Sequence, residues 1–372
     1  MVTPNQLKDS TYRKLISYGK AKLSLAYRQE AVLLLCVAAD CNKETIYCNL
    51  DTVVDDEIAE KYRLYVERRN QCEPIQYIAG KWPFMGLEFQ LNRYVLIPRP
   101  DTECLVEQVI KIINEMVQNK IEDDVRDRNR DKIRDKDQDK VRDKVRDKIR
   151  DKVQDKVRDK VRDKMRTRCV VQDHNESSVR NVNVLELCTG TGCIAVSLAH
   201  YIKKVRIVAT DISEEALAVA AHNAAENQVA DKITFLFGDL FEPLLTQVVD
   251  DYYNDDDDDE RFDILCANPP YIPQNEIGAL IPDVREFEPI LALDGGGDGL
   301  DFYRRIAAEA EKVIKEDARI IVEVGYGQAE QVAAIFRDKG YGTIWFVKDL
   351  SGIERIVCAT KILIDADKVA VL

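Results

Sequence analysis

The chain predicts an α/β domain on a mostly parallel, doubly wound sheet, preceded by a small helical domain. Seven β-prone runs follow one another after residue 181: "NVLEL", "RIVATDI", "ITFLFGD", "FDILCAN", "ARIIVEVG", "TIWFV" and "RIVCATK". Helical stretches separate the first five, and such alternation means parallel strands with helices on both faces. Only "KDLSGIE" joins the last two. A parallel crossover needs about a dozen residues or more, so this pair is expected as an antiparallel hairpin.

The elements follow in order. Residues 1–80 read as short helices: "AYRQEAVLLLCVAAD" and "DDEIAEKYRLYVERRNQ" have apolar spacing near 3.6, and Gly and Pro are sparse before Pro74. Residues 81–100 hold Pro83, Gly86, Pro98 and Pro100 among β-prone residues, and Gly80 precedes them, so a β-hairpin connector is expected. Residues 101–120 open with Asp101 and Thr102 and continue with helical spacing, which predicts a helix leading into the second domain. Residues 121–180 form a charged insert containing a repeat of Val/Ile-Arg-Asp-Lys over 125–166. Four residues turn ~400° in an α-helix, so each repeat drifts by ~40°. The valines spiral and form no core stripe, so the segment is expected to be a solvated helix or disordered. Residues 181–372 make the second domain, interrupted by the acidic loop "DDYYNDDDDDE" at 250–260.

Length and composition narrow the class. A chain of 372 residues with 45% hydrophobic content supports two folded domains. No apolar run approaches the ~18–20 residues of a membrane span. The start, "MVTPNQLKDSTYRKLISYGK", lacks the apolar region of a signal peptide. Ten scattered cysteines form no C-x-x-C pair, which speaks against zinc or disulfide frameworks and for a reducing cytoplasm. The formal net charge is −13; residues 121–168, with 20 Lys/Arg against 14 Asp/Glu, carry +6, leaving −19 elsewhere. A surface that acidic is a poor match for nucleic acid and favours a protein or small-molecule substrate.

The chemistry concentrates at strand ends. In "ELCTGTGCIAVSLA" (186–199), Gly190 and Gly192 let the backbone approach a ligand at a helix N-terminus. Asp211, nineteen residues beyond Gly192, ends the second strand, where a carboxylate can take both hydroxyls of a ribose. The spacing Gly190-x-Gly192-x-x-Ala195 also satisfies a dinucleotide fingerprint, and a tight turn without a ligand is a further alternative. Two features favour S-adenosylmethionine. Asp239 ends the third strand, within reach of an adenine amino group. Asn268-Pro269-Pro270-Tyr271 ends the fourth, and a dinucleotide enzyme has no evident use for it there. Ligands of such sheets bind beyond the carboxyl ends of the strands, so these residues converge on one crevice.

Asn-Pro-Pro-Tyr suits methyl transfer to a planar nitrogen. An amide or exocyclic amine is a weak nucleophile because its lone pair is delocalised, so it must be held in line at near-attack distance. The Asn268 side-chain oxygen and the Pro269 carbonyl can each accept one N–H of an –NH2 group and stabilise charge growing on the nitrogen. The two prolines stiffen that carbonyl, and Tyr271 offers a flat face.

Five parallel strands ending in a reversed hairpin are also the outline of class I S-adenosylmethionine-dependent methyltransferases (Rossmann-like). The chain resembles one family of them, the release factor glutamine methyltransferases, which methylate the side-chain nitrogen of the glutamine in the Gly-Gly-Gln motif of peptide chain release factors. The resemblance is carried by "PIQYIAG", "FMGLEF", "VLIPRPDTE", "ELCTGTG", "TDIS", "GDLFEPL", "NPPYIP", "EFEPILAL" and "DGLDFYRRI". It implies that Cys188, Thr189, Gly190, Thr191 and Gly192 line the methionine part of S-adenosylmethionine, Asp211 binds its ribose, and Asp239 and Leu240 flank its adenine. It implies further that Asn268 touches cofactor and substrate, and that Pro269, Pro270 and Tyr271 complete the substrate site, with Asn268, Pro269 and Tyr271 catalytic. Arg99, Thr102 and Glu103 match the connector motif near the active site, as site residues or as connector structure. The helical domain would recognise the release factor. A cytoplasmic monomer is expected, with no metal, no membrane and no direct nucleic-acid contact. His174, His200 and His222 match no motif. Three rival readings stand beside this one: a glutamine methyltransferase of a ribosomal protein, an adenine-N6 nucleic-acid methyltransferase, which would flip a base into the same pocket, and a non-catalytic binding module worked by the inserts.

Overall fold

The computed structural model describes residues 8–133, 181–245 and 261–364. The rest of the charged repeat, the acidic loop and His174 lie outside the described residues.

Five helices open the chain: α1 (Tyr12–Lys22), α2 (Ala31–Ala39), α3 (Lys43–Cys48), α4 (Asp56–Asn70) and α5 (Ile75–Ala79). Local chemistry sets their starts, since the side chains of Thr11, Asn42 and Asp55 accept the first free backbone N–H groups of α1, α3 and α4. The apolar helix α2, "AVLLLCVAA", forms the centre, with Leu34 and Leu35 fully buried. Tyr62 of α4 crosses beneath it and donates its hydroxyl to the Ala31 carbonyl at 3.0 Å. Only a glycine fits at position 19, because a Cβ there would sit 1.8 Å from the Tyr62 hydroxyl.

A buried charge cluster ties this bundle to the second domain. The Arg69 guanidinium lies 2.6 Å from Glu30 and 2.6 Å from Asp283, and it stacks 3.4 Å from the Tyr27 ring centre. Tyr27 donates to the other Asp283 oxygen at 2.6 Å. Asp283 belongs to the segment that follows the Asn-Pro-Pro-Tyr motif, so the bundle grips that segment directly.

The connector is a short antiparallel hairpin, β1 (Lys81–Phe84) and β2 (Leu87–Gln90). Met85 and Gly86 turn it with φ of 50° and 75°, the two positive values that a tight hairpin turn requires. Residues 91–99 run without regular structure and bury Leu91, Val95 and Ile97. Helix α6 then spans Pro100–Ile133 and so passes the expected end near 120. Residues 121–133 contain neither Gly nor Pro and are rich in Arg, Lys, Asp and Glu, so nothing in the sequence stops the helix there.

The sheet is seven-stranded: β3 (Val182–Leu187), β4 (Val205–Asp211), β5 (Ile233–Phe237), β6 (Phe262–Ala267), β7 (Ile314–Glu323), β8 (Thr343–Lys348) and β9 (Glu354–Thr360), in the spatial order β5-β4-β3-β6-β7-β9-β8. The first five strands run parallel. The final hairpin is antiparallel, as its short link requires, and β9 inserts between β7 and β8. Side chains alternate across β3: Val184 faces a core shared with α6 and α7 (Cys193–Tyr201), whereas Leu185 and Leu187 face one shared with α11 (Asp301–Glu309) and α12 (Ala329–Asp338). Between them come α8 (Glu214–Glu226) and two single-turn helices, α9 (Glu242–Leu245) and α10 (Pro282–Arg285). Strand order reverses at β3, with β4 on one side and β6 on the other. A crevice therefore opens beyond their carboxyl ends.

Candidate active site

The register of the sheet assembles the site. Leu187 pairs with Ala267, and Ala267 with Val322. The next residue on each strand, namely Cys188, Asn268 and Glu323, therefore arrives at one level. A cleft of about 320 Å³ opens there, lined by Cys188, Thr189, Gly190, Thr191, Asp211, Asp239, Leu240, Asn268 and Pro270, with Arg99 and Thr102 of the connector on its wall. Gly192 caps the following helix and does not line the cleft. Pro269 is buried, and Tyr271 is half-buried; neither lines the cleft. The Tyr271 ring packs into the core, its Cδ2 3.0 Å from where a Cβ on Gly325 would sit, and its carbonyl accepts from Gln328 at 2.9 Å. Burial pushes its hydroxyl up to about 12.

The glycine loop is held by two carboxylates. Asp211 accepts the Gly190 N–H at 2.8 Å through Oδ2 and the Ser213 N–H at 3.0 Å through Oδ1. Each oxygen keeps a further lone pair for a ligand hydroxyl. Burial raises the Asp211 carboxyl above its ordinary range, and the N–H bonds pull it back. Glu186, fully buried near the end of β3, accepts through Oε2 from the Thr189 hydroxyl at 2.9 Å and the Ala195 N–H at 3.0 Å. Burial dominates and drives its carboxyl up to about 8. Gly190 and Gly192 have φ of 55° and 75°. A Cβ on Gly190 would meet nothing within 4 Å, whereas one on Gly192 would lie 2.9 Å from the Ala220 Cβ and 3.1 Å from its Cα. Gly192→Ala is therefore expected to destabilise the fold by ~1–3 kcal/mol, read as a lowered urea midpoint.

Comparison with known proteins follows this geometry. Residues 14–80 match the PrmC N-terminal domain, and residues 178–352 match a methyltransferase domain. A release factor glutamine methyltransferase of Clostridium acetobutylicum is 30% identical over 335 residues, covering 90% of this chain and 92% of that protein. The chain belongs to the release factor glutamine methyltransferase family. The family's Geobacter sulfurreducens protein is 31% identical over 351 residues, 93% of this chain and 95% of that one. A bifunctional methyltransferase of Rickettsia felis is 31% identical over 328 residues, 88% of this chain but 53% of that longer protein. Among solved structures, the catalytic domain of hMettl16 aligns with a TM-score of 0.39 at 16% identity, over 49% of this chain and 65% of that one.

This release factor glutamine methyltransferase family member is a methyltransferase whose methyl donor is S-adenosylmethionine. Its cleft fits that donor. The spare lone pairs of Asp211 suit a ribose diol, and the open space at Gly190 lets a ligand lie along the loop. At the Asp239 end of the cleft, Arg305 of α11 bridges to Asp239 at 2.9 Å and leaves one carboxylate oxygen of Asp239 free of that contact. Leu240 is buried beside it with φ 51°. Phe302 and Arg305 also line the cleft, and neither was expected from the strand-end motifs.

The connector residues separate into distinct roles. Thr102, in the first turn of α6, is the partner of Asn268, whose Nδ2 donates to its hydroxyl at 3.1 Å. Arg99 pairs with the buried Glu288, whose carboxyl burial raises. Glu103 instead accepts the Met85 N–H at 2.8 Å and secures the hairpin turn. The sequence reading missed Glu323, which is 2% exposed at the end of β7 and is brought beside Asn268 by strand register; Thr102 and Asn268 both pull its carboxyl down against the rise that burial causes. His200 and His222 lie away from the cleft; His200 packs edge-on against Tyr201, and His222 lines a shallow groove beside Tyr94. Among the described residues no cluster of His, Cys, Asp and Glu could hold a metal, and no helix is long and apolar enough to cross a membrane.

Proposed function

We propose that the chain methylates the side-chain amide nitrogen of the glutamine in the Gly-Gly-Gln motif of peptide chain release factors. One observation carries this beyond family membership: Asn268 lines the donor cleft, and the nitrogen end of its amide is engaged by Thr102. Its oxygen is thus available to an incoming –NH2 group. S-adenosylmethionine, when bound, supplies an electrophilic methyl group on a sulfonium. Asp211 holds the ribose, the 188–192 loop the methionine part, and Asp239 and Leu240 the adenine. The Asn268 oxygen and the Pro269 carbonyl accept the two N–H bonds of the glutamine amide, which aims its nitrogen at the methyl group. Pro270 stiffens the turn, and the Tyr271 ring, packed into the core beside Gly325, braces the motif from beneath. No general base is required, because the alkylated nitrogen can give its proton to solvent.

The helical domain supplies recognition of the protein substrate, and its Arg69 contact with Asp283 links that recognition to the active-site segment. The acidic bulk of the chain supports a protein substrate over nucleic acid, and the enzyme acts as a cytoplasmic monomer. Labelled methyl transfer from S-adenosylmethionine to a release factor, and to its Gln→Ala variant at the motif, tests the reading. Label on the first and none on the second is expected; equal label on both, or transfer only to a ribosomal protein or DNA, would overturn it.

A further inference from the structure

We infer that Glu323, acting through Thr102, fixes which end of the Asn268 amide faces the substrate, and so is a positioning residue for methyl transfer. The inference rests on the proposed acceptor role of Asn268 and deepens it. An asparagine amide has an accepting end and a donating end of nearly the same shape. Nothing in its shape decides which end faces the cleft, so its hydrogen-bond partners must.

Those partners form a directed chain. Glu323 sits beside Asn268 because β6 and β7 are in register through Ala267 and Val322. Its ionised carboxylate accepts and cannot donate. The Thr102 hydroxyl favours that carboxylate in its ionised form and can give it its one proton, while its oxygen accepts from Asn268 Nδ2 at 3.1 Å. The Asn268 side chain also favours the ionised carboxylate. Reversing the amide would aim its oxygen at a carboxylate and at a hydroxyl whose proton is already committed. Both contacts would become repulsive in a dry setting. The carboxylate thus holds the Asn268 oxygen toward the cleft, where a substrate N–H needs an acceptor.

The surroundings of Glu323 keep this arrangement sensitive to protonation. Asp101 and Thr102 of α6 and Arg355 of β9 act on it directly, and Arg355 is itself bonded to Asp101 at 3.1 Å. The nearby Tyr271, Tyr303, Cys104 and Cys193 are all raised by burial and stay uncharged, and the Tyr303 hydroxyl donates to the Glu323 carbonyl at 2.8 Å. Its Oε2 is buried without a protein partner. Burial therefore dominates and lifts the carboxyl to about 7, against the opposing pull of Thr102, Arg355 and Asn268. Below that pH the protonated acid can donate, and the reversed amide is no longer penalised. Activity that depends on the carboxylate should rise as pH rises through about 7.

The test compares wild type with Glu323→Gln, which keeps the shape and removes the obligate acceptor. Turnover on a release factor should fall ~10- to 100-fold, the scale of one misaligned acceptor, with S-adenosylmethionine affinity and melting temperature within error of wild type. The acidic limb of the kcat–pH profile should vanish. Thr102→Val should lose turnover similarly, and Thr102→Ser, which keeps the hydroxyl, should restore it. Selective 15N-asparagine labelling reads the same contact without turnover: the Asn268 side-chain amide should titrate near pH 7 in wild type and not in Glu323→Gln. A wild-type protein that fails to methylate a release factor yet shows this titration would overturn the substrate while supporting the orientation. Unchanged kcat, an unchanged pH limb, an amide signal indifferent to Glu323, or a loss matched by lost stability would each overturn the positioning role.

Discussion

Asn268→Ala is expected to lower kcat on a release factor by on the order of 100-fold or more, the cost of losing one oriented acceptor at the reacting group. Binding of S-adenosylmethionine should weaken far less, because Asp211, the glycine loop and the Asp239–Leu240 pair stand on other strands. The fold should survive, since Asn268 is only half-buried and follows β6 rather than packing within it. The substitution leaves Thr102 without its donor, but the Thr102 hydroxyl can still turn to Glu323. Stopped assays at saturating donor separate kcat from affinity. Tyr271 gives a graded companion. Tyr271→Phe should be mild, because the ring packs against Gly325 and the core while its hydroxyl takes no assigned part in transfer. Tyr271→Ala should be much worse, as it opens a hole beneath the motif.

The second large effect is on the donor. Asp211→Ala should weaken S-adenosylmethionine binding by ~1.5–3 kcal/mol, the range for charge-assisted hydrogen bonds, or about 10- to 150-fold in Kd. The structure adds a second reason for a loss at the upper end. The same carboxylate accepts the Gly190 and Ser213 N–H groups, so its removal also frees the loop proposed to carry the ligand. Asp211→Asn separates the two contributions, because it keeps an oxygen for one N–H and removes the charge. Calorimetry should place it between wild type and Asp211→Ala; affinity unchanged in both would remove Asp211 from the site.

Much of this site is local in sequence, and that part was legible. Cys188 to Gly192, Asp211, Asp239 and Asn268 each end a strand, and parallel topology brings such ends together whatever the details of packing. The antiparallel last pair followed from its short link alone. What could not be read is tertiary. Thr102 and Asn268 lie 166 residues apart, and their contact depends on where α6 docks against the sheet. Glu323 sits in an apolar run, "ARIIVEVG", where a lone acid reads as a strand end; only the register with β6 gives it a partner. The Arg305 bridge to Asp239 and the grip of Arg69 on Asp283 are likewise products of helices meeting loops. The overrun of α6 to Ile133 has the opposite origin, since local propensity continued the helix past the point where hydrophobic spacing ended.

The central claim is that the methyl group lands on a glutamine side-chain nitrogen. Peptide mapping by tandem mass spectrometry of a release factor incubated with enzyme and S-adenosylmethionine reads this directly. The account predicts one added methyl, on the side chain of the Gly-Gly-Gln glutamine and absent from the reaction with Asn268→Ala. A methyl on any other residue, or full modification by Asn268→Ala, would contradict it.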